Sequence, residues 1–232
     1  MVDFIVSEPR IIIALLMLAV ASFMDLRTRE VHDFVWIVFG SIGVLMYFIQ
    51  PIALNVVPLL FTLSFSVGIA FFAYRMGLFA GADALALVAL AVIIPVYNGP
   101  NMLHSIAPLT ILTNAAILAS LFILFNIVRN SVALAKGIPL FADFEEPEWK
   151  KAIAFILGYK TNNPKFAYSI EVDSATGKKF DFSLVHAEEA DYCAKQSAWV
   201  MAGLPFIVYM LGGLVAMILV GDIAMTLISM LL

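Results

Sequence analysis

Between residues 34 and 128 the chain carries two charged side chains, Arg75 and Asp83. No soluble fold keeps so long a stretch in solution, because a globular domain must cover much of its surface with polar groups. Composition agrees: 63% of residues are hydrophobic and 13% charged, against about 45–50% and 25% in soluble domains. Apolar runs of roughly 17 to 25 residues span a bilayer. By that measure, helices are expected at 10–26, 34–49, 55–75, 83–97, 105–128 and 205–230. The second and fourth are short, so they recruit flanking residues or sit where the bilayer is thinned. Residues 11–24 have the length of a signal-peptide core, but no small-residue cleavage site leads into a polar region, so this segment reads as a retained first helix. The expected fold class is an all-α polytopic membrane protein with about six transmembrane helices and a small α+β cytoplasmic insertion.

Short cytoplasmic loops carry the excess of Lys and Arg. The loop after helix one holds Arg27 and Arg29, the loop after helix three holds Arg75, and helix five leads into Arg129 and Lys136. The loops 50–54 and 98–104 have neither. One topology fits: both termini outside, with loops one and three and the insertion in the cytoplasm of a multi-pass plasma-membrane protein.

Three segments result: a membrane core, 1–129, of helices one to five; a soluble insertion, 130–203; and helix six in 204–232. In the insertion, 145–159 reads as an amphipathic helix with Trp149, Ile153, Phe155 and Ile156 on its apolar positions. Residues 166–172 and 180–185 alternate around a turn-rich 173–177, a hairpin pattern. Residues 187–200 read as a polar helix. The net charge of -4 averages a nearly uncharged membrane part with this charge-dense segment, and nothing in it points to nucleic acid. The single Cys193 excludes an internal disulfide and a cysteine-built zinc site. The oligomeric state is open.

Ionisable residues at or inside the hydrocarbon are expensive and mark function by default. Asp25 ends helix one and Asp83 opens helix four. The topology, read from Lys and Arg alone, puts both on the cytoplasmic side at similar depth. Two carboxylates about 3 Å apart cannot both ionise, so one keeps a proton near neutral pH. The ionised partner can then activate a water while the protonated one serves as acid, with no metal or cofactor. The plainer readings are that Asp83 caps its helix and that Asp25 pairs with Arg27 or Arg29.

The segment Asp25-Leu-Arg27-Thr-Arg29-Glu-Val31-His-Asp33 resembles the first active-site segment of type IV prepilin peptidases. Gly77-Leu-Phe-Ala-Gly81-Ala82-Asp83 is similar to the second, a glycine-rich approach to the other aspartate. These are the GxGD membrane aspartyl proteases, whose archaeal branch includes the preflagellin peptidases. The pattern departs in reading Ala80-Gly81-Ala82-Asp83, though small residues still permit close backbone approach. The resemblance implies a catalytic dyad of Asp25 and Asp83, no cofactor, and pilin-like or archaellin precursors as substrates, cut after a short basic leader. The short N-terminus and the missing four-cysteine zinc loop point to the archaeal branch.

Around the dyad, Arg27 and Arg29 are topology anchors that can tune it, Gly81 and Ala82 permit close approach, and Asp33 reads as a helix cap that could also help bind a leader or replace a dyad member. Asp222, after Gly221, falls on the opposite side. Gly212 and Gly213 suit close helix contact. Asp143, Glu145, Glu146 and Glu148 form a solvated acidic helix start that could attract a basic leader. His104 and His186 fall on opposite sides of the bilayer and form no common site. A competing function is a small ion- or proton-coupled transporter using the same acids, but such proteins bind near the midplane, often within an inverted repeat, and no repeat is visible here. A membrane scaffold leaves the two acid segments without a purpose.

Overall fold

A computed structural model of the chain describes residues 9–49, 56–174, 177–183 and 191–231. The chain divides into two compact units, Met1–Leu118 with Pro205–Leu232, and Ala119–Leu204.

The first unit is helical: α1 (Pro9–Thr28), α2 (Asp33–Ile49), α3 (Val56–Arg75), α4 (Gly81–Ile93), the start of α5 (Ala107–Ala135), α7 (Phe206–Leu219) and α8 (Ile223–Leu231). Helix α4 is central and packs on α3, α2, α1 and α7, while α1 also packs on α2 and α7. The inward faces combine small residues with larger ones that are not branched at Cβ: Ala14, Met17, Leu18 and Ala21 of α1, Ala86, Leu87 and Leu90 of α4, and Met210, Leu214 and Met217 of α7 are all buried. Glycine sets the spacing at two crossings. A Cβ on Gly43 of α2 would stand 2.8 Å from Ile93 Cγ1, and one on Gly213 of α7 would strike the Ile111 carbonyl of α5. The outward faces are just as apolar, with Phe23, Phe34, Phe48, Phe61, Phe71 and Phe72 all exposed. Burying one phenylalanine is worth about 1.5–3 kcal/mol, so this surface belongs in lipid.

Among the described residues, α1 and α5 are long and apolar enough to cross a membrane, and α7 with α8, bent by 53°, makes a third candidate if the pair is one span. The spans expected at 34–49, 55–75 and 83–97 are shorter apolar helices here. Helix α4 stops at Ile93 instead of reaching 97, because the residue before Pro95 is driven out of the helical region; Ile94 sits at φ −128°, ψ 80°. At about 1.5 Å per residue α4 spans about 20 Å. Helix α5 runs past 128 to Ala135 and closes at Gly137 (φ 74°), whose N–H bonds to the Leu134 carbonyl while that of Ile138 bonds to Ala133. The last helix breaks at Gly221 (φ 91°), where a Cβ would overlap the Pro100 carbonyl. Asp222 then restarts it, its carboxylate accepting the Met225 N–H at 3.2 Å. Buried Asn114 clamps the break: its amide donates to the Gly213 and Gly221 carbonyls, and its oxygen accepts the Ile223 N–H.

The second unit carries α6 (Glu148–Leu157), a three-stranded antiparallel sheet ordered β1-β5-β2, and a two-stranded hairpin β3-β4. The strands are β1 (Tyr159–Thr161), β2 (Ala167–Ser169), β3 (Glu171–Ser174), β4 (Gly177–Phe180) and β5 (Ala198–Ala202). The hairpin is tighter than its sequence suggests, pairing Ser174 with Gly177, and Ala167–Ser169 leaves it to pair with β5. The helix expected over 187–200 is not there. Residues 187–190 lie outside the described residues, 191–197 are irregular, and Ala198–Ala202 is the central strand. Strand partners on both sides and complete burial of Trp199 and Val200 override local helix propensity. Trp199 stacks on Phe141 at 5.0 Å and meets Phe180 edge-on at 5.7 Å. Beside it the buried Glu171 carboxylate accepts from Lys178 Nζ at 2.8 Å and the Trp199 N–H at 3.0 Å.

Candidate active site

Asp25 lies in the last turn of α1, partly buried. The helix ends because Arg29 adopts the left-handed conformation, φ 61°, and returns its N–H to the Asp25 carbonyl at 3.0 Å. This is the single-bond left-handed C-cap, normally served by glycine. Arg29 also places its cationic charge where it acts on the Asp25 carboxylate.

Asp83 is the third residue of α4. Its carboxylate turns back to accept the Ala80 N–H at 3.2 Å, and Ala80 is extended at φ −72°, ψ 161°. The capping role read from sequence is therefore real, and it holds one carboxylate oxygen at the positive end of a helix. Gly77 shapes the approach. At φ 71° it closes α3 through two bonds, its own N–H to Tyr74 O and that of Leu78 to Ala73 O, a glycine-dependent motif. The reversal that aims Asp83 thus depends on Gly77, a residue quoted in the motif without a role. Gly81 and Ala82 form the first turn of α4, and Ala82 packs on the core.

Helices α1 and α4 are in contact and antiparallel, since Arg10 at the start of α1 donates to the Ile93 carbonyl at the end of α4. The end of α1 and the start of α4 therefore share one end of the unit, and the charges of Asp25 and Asp83 act on each other. Asp33 opens α2 as its first helical residue, exposed like Arg27; the first turn closes from the Val35 N–H to the His32 carbonyl. Asp222 is at the opposite end of the unit: its N–H bonds to Asn101 O, in the loop following α4. His186 lies outside the described residues.

The sequence drew no attention to Arg10. It is 5% exposed, its guanidinium lies 4.1 Å from the centre of the Tyr47 ring, and Tyr47 in turn donates to the Val92 carbonyl at 2.9 Å. An arginine at the start of a strongly apolar helix was the available signal. In the second unit, three of the four acids around the start of α6 are engaged: Glu146 with Lys150 at 3.0 Å, Glu148 with Lys151 at 2.9 Å and Asp143 with Lys160 at 3.7 Å. That pairing weakens a leader-attracting field.

Residues 12–128, half of the chain and including both aspartates, match the model of the type IV leader peptidase family. The chain belongs to that family. It is a membrane peptidase of the aspartic type. It is also 27% identical over 210 residues to the preflagellin peptidase of Methanocaldococcus jannaschii, covering 82% of this chain and 85% of that protein. The family match ends at residue 128, just inside the second unit, whereas the alignment with the archaeal relative is long enough to reach further into it.

Proposed function

We propose that this leader peptidase is an endopeptidase whose catalytic pair is Asp25 and Asp83, and that it removes the short basic leader of pilin-like or archaellin-type precursors at the cytoplasmic face of the membrane. One observation carries the reading: two packed antiparallel helices present these two carboxylates at a common end. The activity in the archaeal relative's name, preflagellin peptidase, favours an archaellin-type precursor. Six spans with both termini outside accommodate this chemistry, with α2 to α4 completing the bundle around the long helices.

In the reaction the ionised carboxylate takes a proton from a water as the water oxygen bonds to the scissile carbonyl carbon. The protonated carboxyl donates to the carbonyl oxygen, and collapse of the tetrahedral intermediate breaks the C–N bond as the amine gains a proton. The Ala80 N–H fixes one oxygen of Asp83, and the other is the one available to the reaction. Arg29 and Arg27 tune the pair, and Asp33 lies one short turn beyond, able to meet basic leader residues.

The test is leader removal from an archaellin-type precursor in membranes by the wild type, Asp25→Asn and Asp83→Asn. Cleavage by the wild type and none by either folded variant is expected. Normal cleavage by both variants would show that other acids do the work, with Asp33 next in line.

A further inference from the structure

Arg129 is the one charged residue in the sequence of α5. The hydrocarbon of a bilayer takes about 20 residues of helix, and about that many, counted from Ala107, end at Asn126, which puts Arg129 just beyond, at the level of the lipid headgroups. The outward face of α5 up to that point is apolar, with Leu121, Leu124, Phe125 and Val128 exposed. Among the described residues Arg129 has no carboxylate partner. Its guanidinium lies 3.9 Å from the centre of the Tyr159 ring, a contact that uses none of its N–H donors.

Those donors border a pocket of about 440 Å³ within the second unit. The pairing of β1 with β5 builds its polar side. Lys160 and Thr161 stand opposite Trp199 and Ala198, which brings Ser197 beside them, and Asn162 follows. Ile138, Pro139 and Leu140 supply an apolar wall, fixed where the Trp199 indole N–H donates to the Leu140 carbonyl at 3.0 Å. One acid stands near, Asp143, 3.7 Å from Lys160 and itself largely exposed. Cations and neutral donors therefore outnumber the acid.

We infer that this pocket binds a phosphate group, and that its place at the end of the apolar run of α5 assigns the phosphate to the headgroup of an anionic phospholipid. An arginine fork and a lysine ammonium match phosphate oxygens, and the hydroxyls of Thr161 and Ser197 with the Asn162 amide add neutral donors. The apolar wall fits the glycerol and first acyl carbons of a lipid, which a free phosphate lacks. Basic pockets at the cytoplasmic edge of membrane proteins take such headgroups, and the proposed topology puts this one on that side. A lipid held there ties β1 to the leaflet. Both aspartates lie in the other unit, so the inference stands apart from the catalytic reading.

The test uses the full chain in a neutral detergent, titrated with phosphatidylglycerol, phosphatidylcholine or inorganic phosphate and followed by thermal unfolding. Phosphatidylglycerol is expected to raise the melting temperature at concentrations where the other two do not. Lys160→Gln, which leaves Arg129 on Tyr159, is expected to weaken the apparent affinity about fivefold, and Arg129→Gln at least as much. Lys136→Gln, at the exposed cation that follows α5, is expected to leave it unchanged. Lys160→Gln carries the test if Arg129→Gln does not fold. No stabilisation by phosphatidylglycerol, or wild-type affinity in Lys160→Gln, overturns the inference. An equal loss in Lys136→Gln overturns it too, because a diffuse basic surface then does the binding. Stabilisation by inorganic phosphate at the same concentrations overturns the assignment to lipid.

Discussion

Arg10 Nη1 donates to the carbonyl of Ile93 at 2.9 Å, and this bond ties the start of α1 to the end of α4. From Arg10 to Asp25 is about 22 Å along α1, and from Ile93 back to Asp83 about 15 Å along α4. The two aspartates are thus held at one end by a contact at the other. Replacing Arg10 with Met keeps the side-chain length but removes the hydrogen bond and the interaction with Tyr47. Thermal unfolding in detergent should then fall by about 1–2 kcal/mol, and leader cleavage should fall with it. An unchanged melting temperature would show that the clamp is idle.

Arg29 does two things that substitution can separate. Its φ of 61° strains a non-glycine residue by about 1–2 kcal/mol, and its charge acts on Asp25. Arg29→Gly removes both effects, whereas Arg29→Ala removes only the charge. The expected result is a glycine variant more stable than the alanine variant by about 1 kcal/mol, with cleavage rates altered equally in both. Equal stabilities would remove the strain argument.

Gly213→Val should be among the most damaging changes in the first unit. Its Cβ would strike the Ile111 carbonyl and lie 2.9 Å from the Ala115 nitrogen, so α7 must move off α5. Asn114, which bonds Gly213, Gly221 and Ile223, would lose its alignment. A loss of about 3 kcal/mol or more is expected, or failure to fold. Gly212→Ala meets only the flexible tip of Leu118 at 3.0 Å and should be far milder, as chemical denaturation of the pair would show.

Glu146 gives the second unit an acid-sensitive point. Its hydrogen bond from Lys150, with a second from the Phe180 N–H, holds the carboxyl below its usual range. A depressed carboxyl contributes stability that is fully present above the unfolded value, about 4.3, and lost as pH falls through the lower folded value. Unfolding followed by Trp199 fluorescence should therefore destabilise on acidification below about pH 4.3, and Glu146→Gln should flatten that dependence. A slope unchanged in the variant would assign the acid sensitivity to other carboxylates.

The membrane character, the helices near 10–26, 34–49 and 55–75, and the positions of Asp25 and Asp83 at helix ends were legible because each depends on local signals: long uncharged runs and ionisable residues at their ends. Helix ends were less legible where one residue governs them, as Pro95 does for α4 and Gly137 for α5. The strand Ala198–Ala202 was misread as helix because nothing local announces its two partners; β1 and β2 lie about thirty to forty residues earlier. The break at Gly221 was hidden for a similar reason, since it is imposed by the Pro100 carbonyl and the Asn114 side chain, both more than a hundred residues away.

By itself the sequence determined that this chain belongs in a membrane and which acids are candidates for its chemistry, because hydrophobic run length and the expense of charge in hydrocarbon are properties of the residues alone. Only tertiary structure decided that α1 and α4 are antiparallel neighbours and that Asp83 is held by the Ala80 N–H. Those depend on which small residues let which helices approach, and no one-dimensional pattern of apolar and polar positions carries that choice.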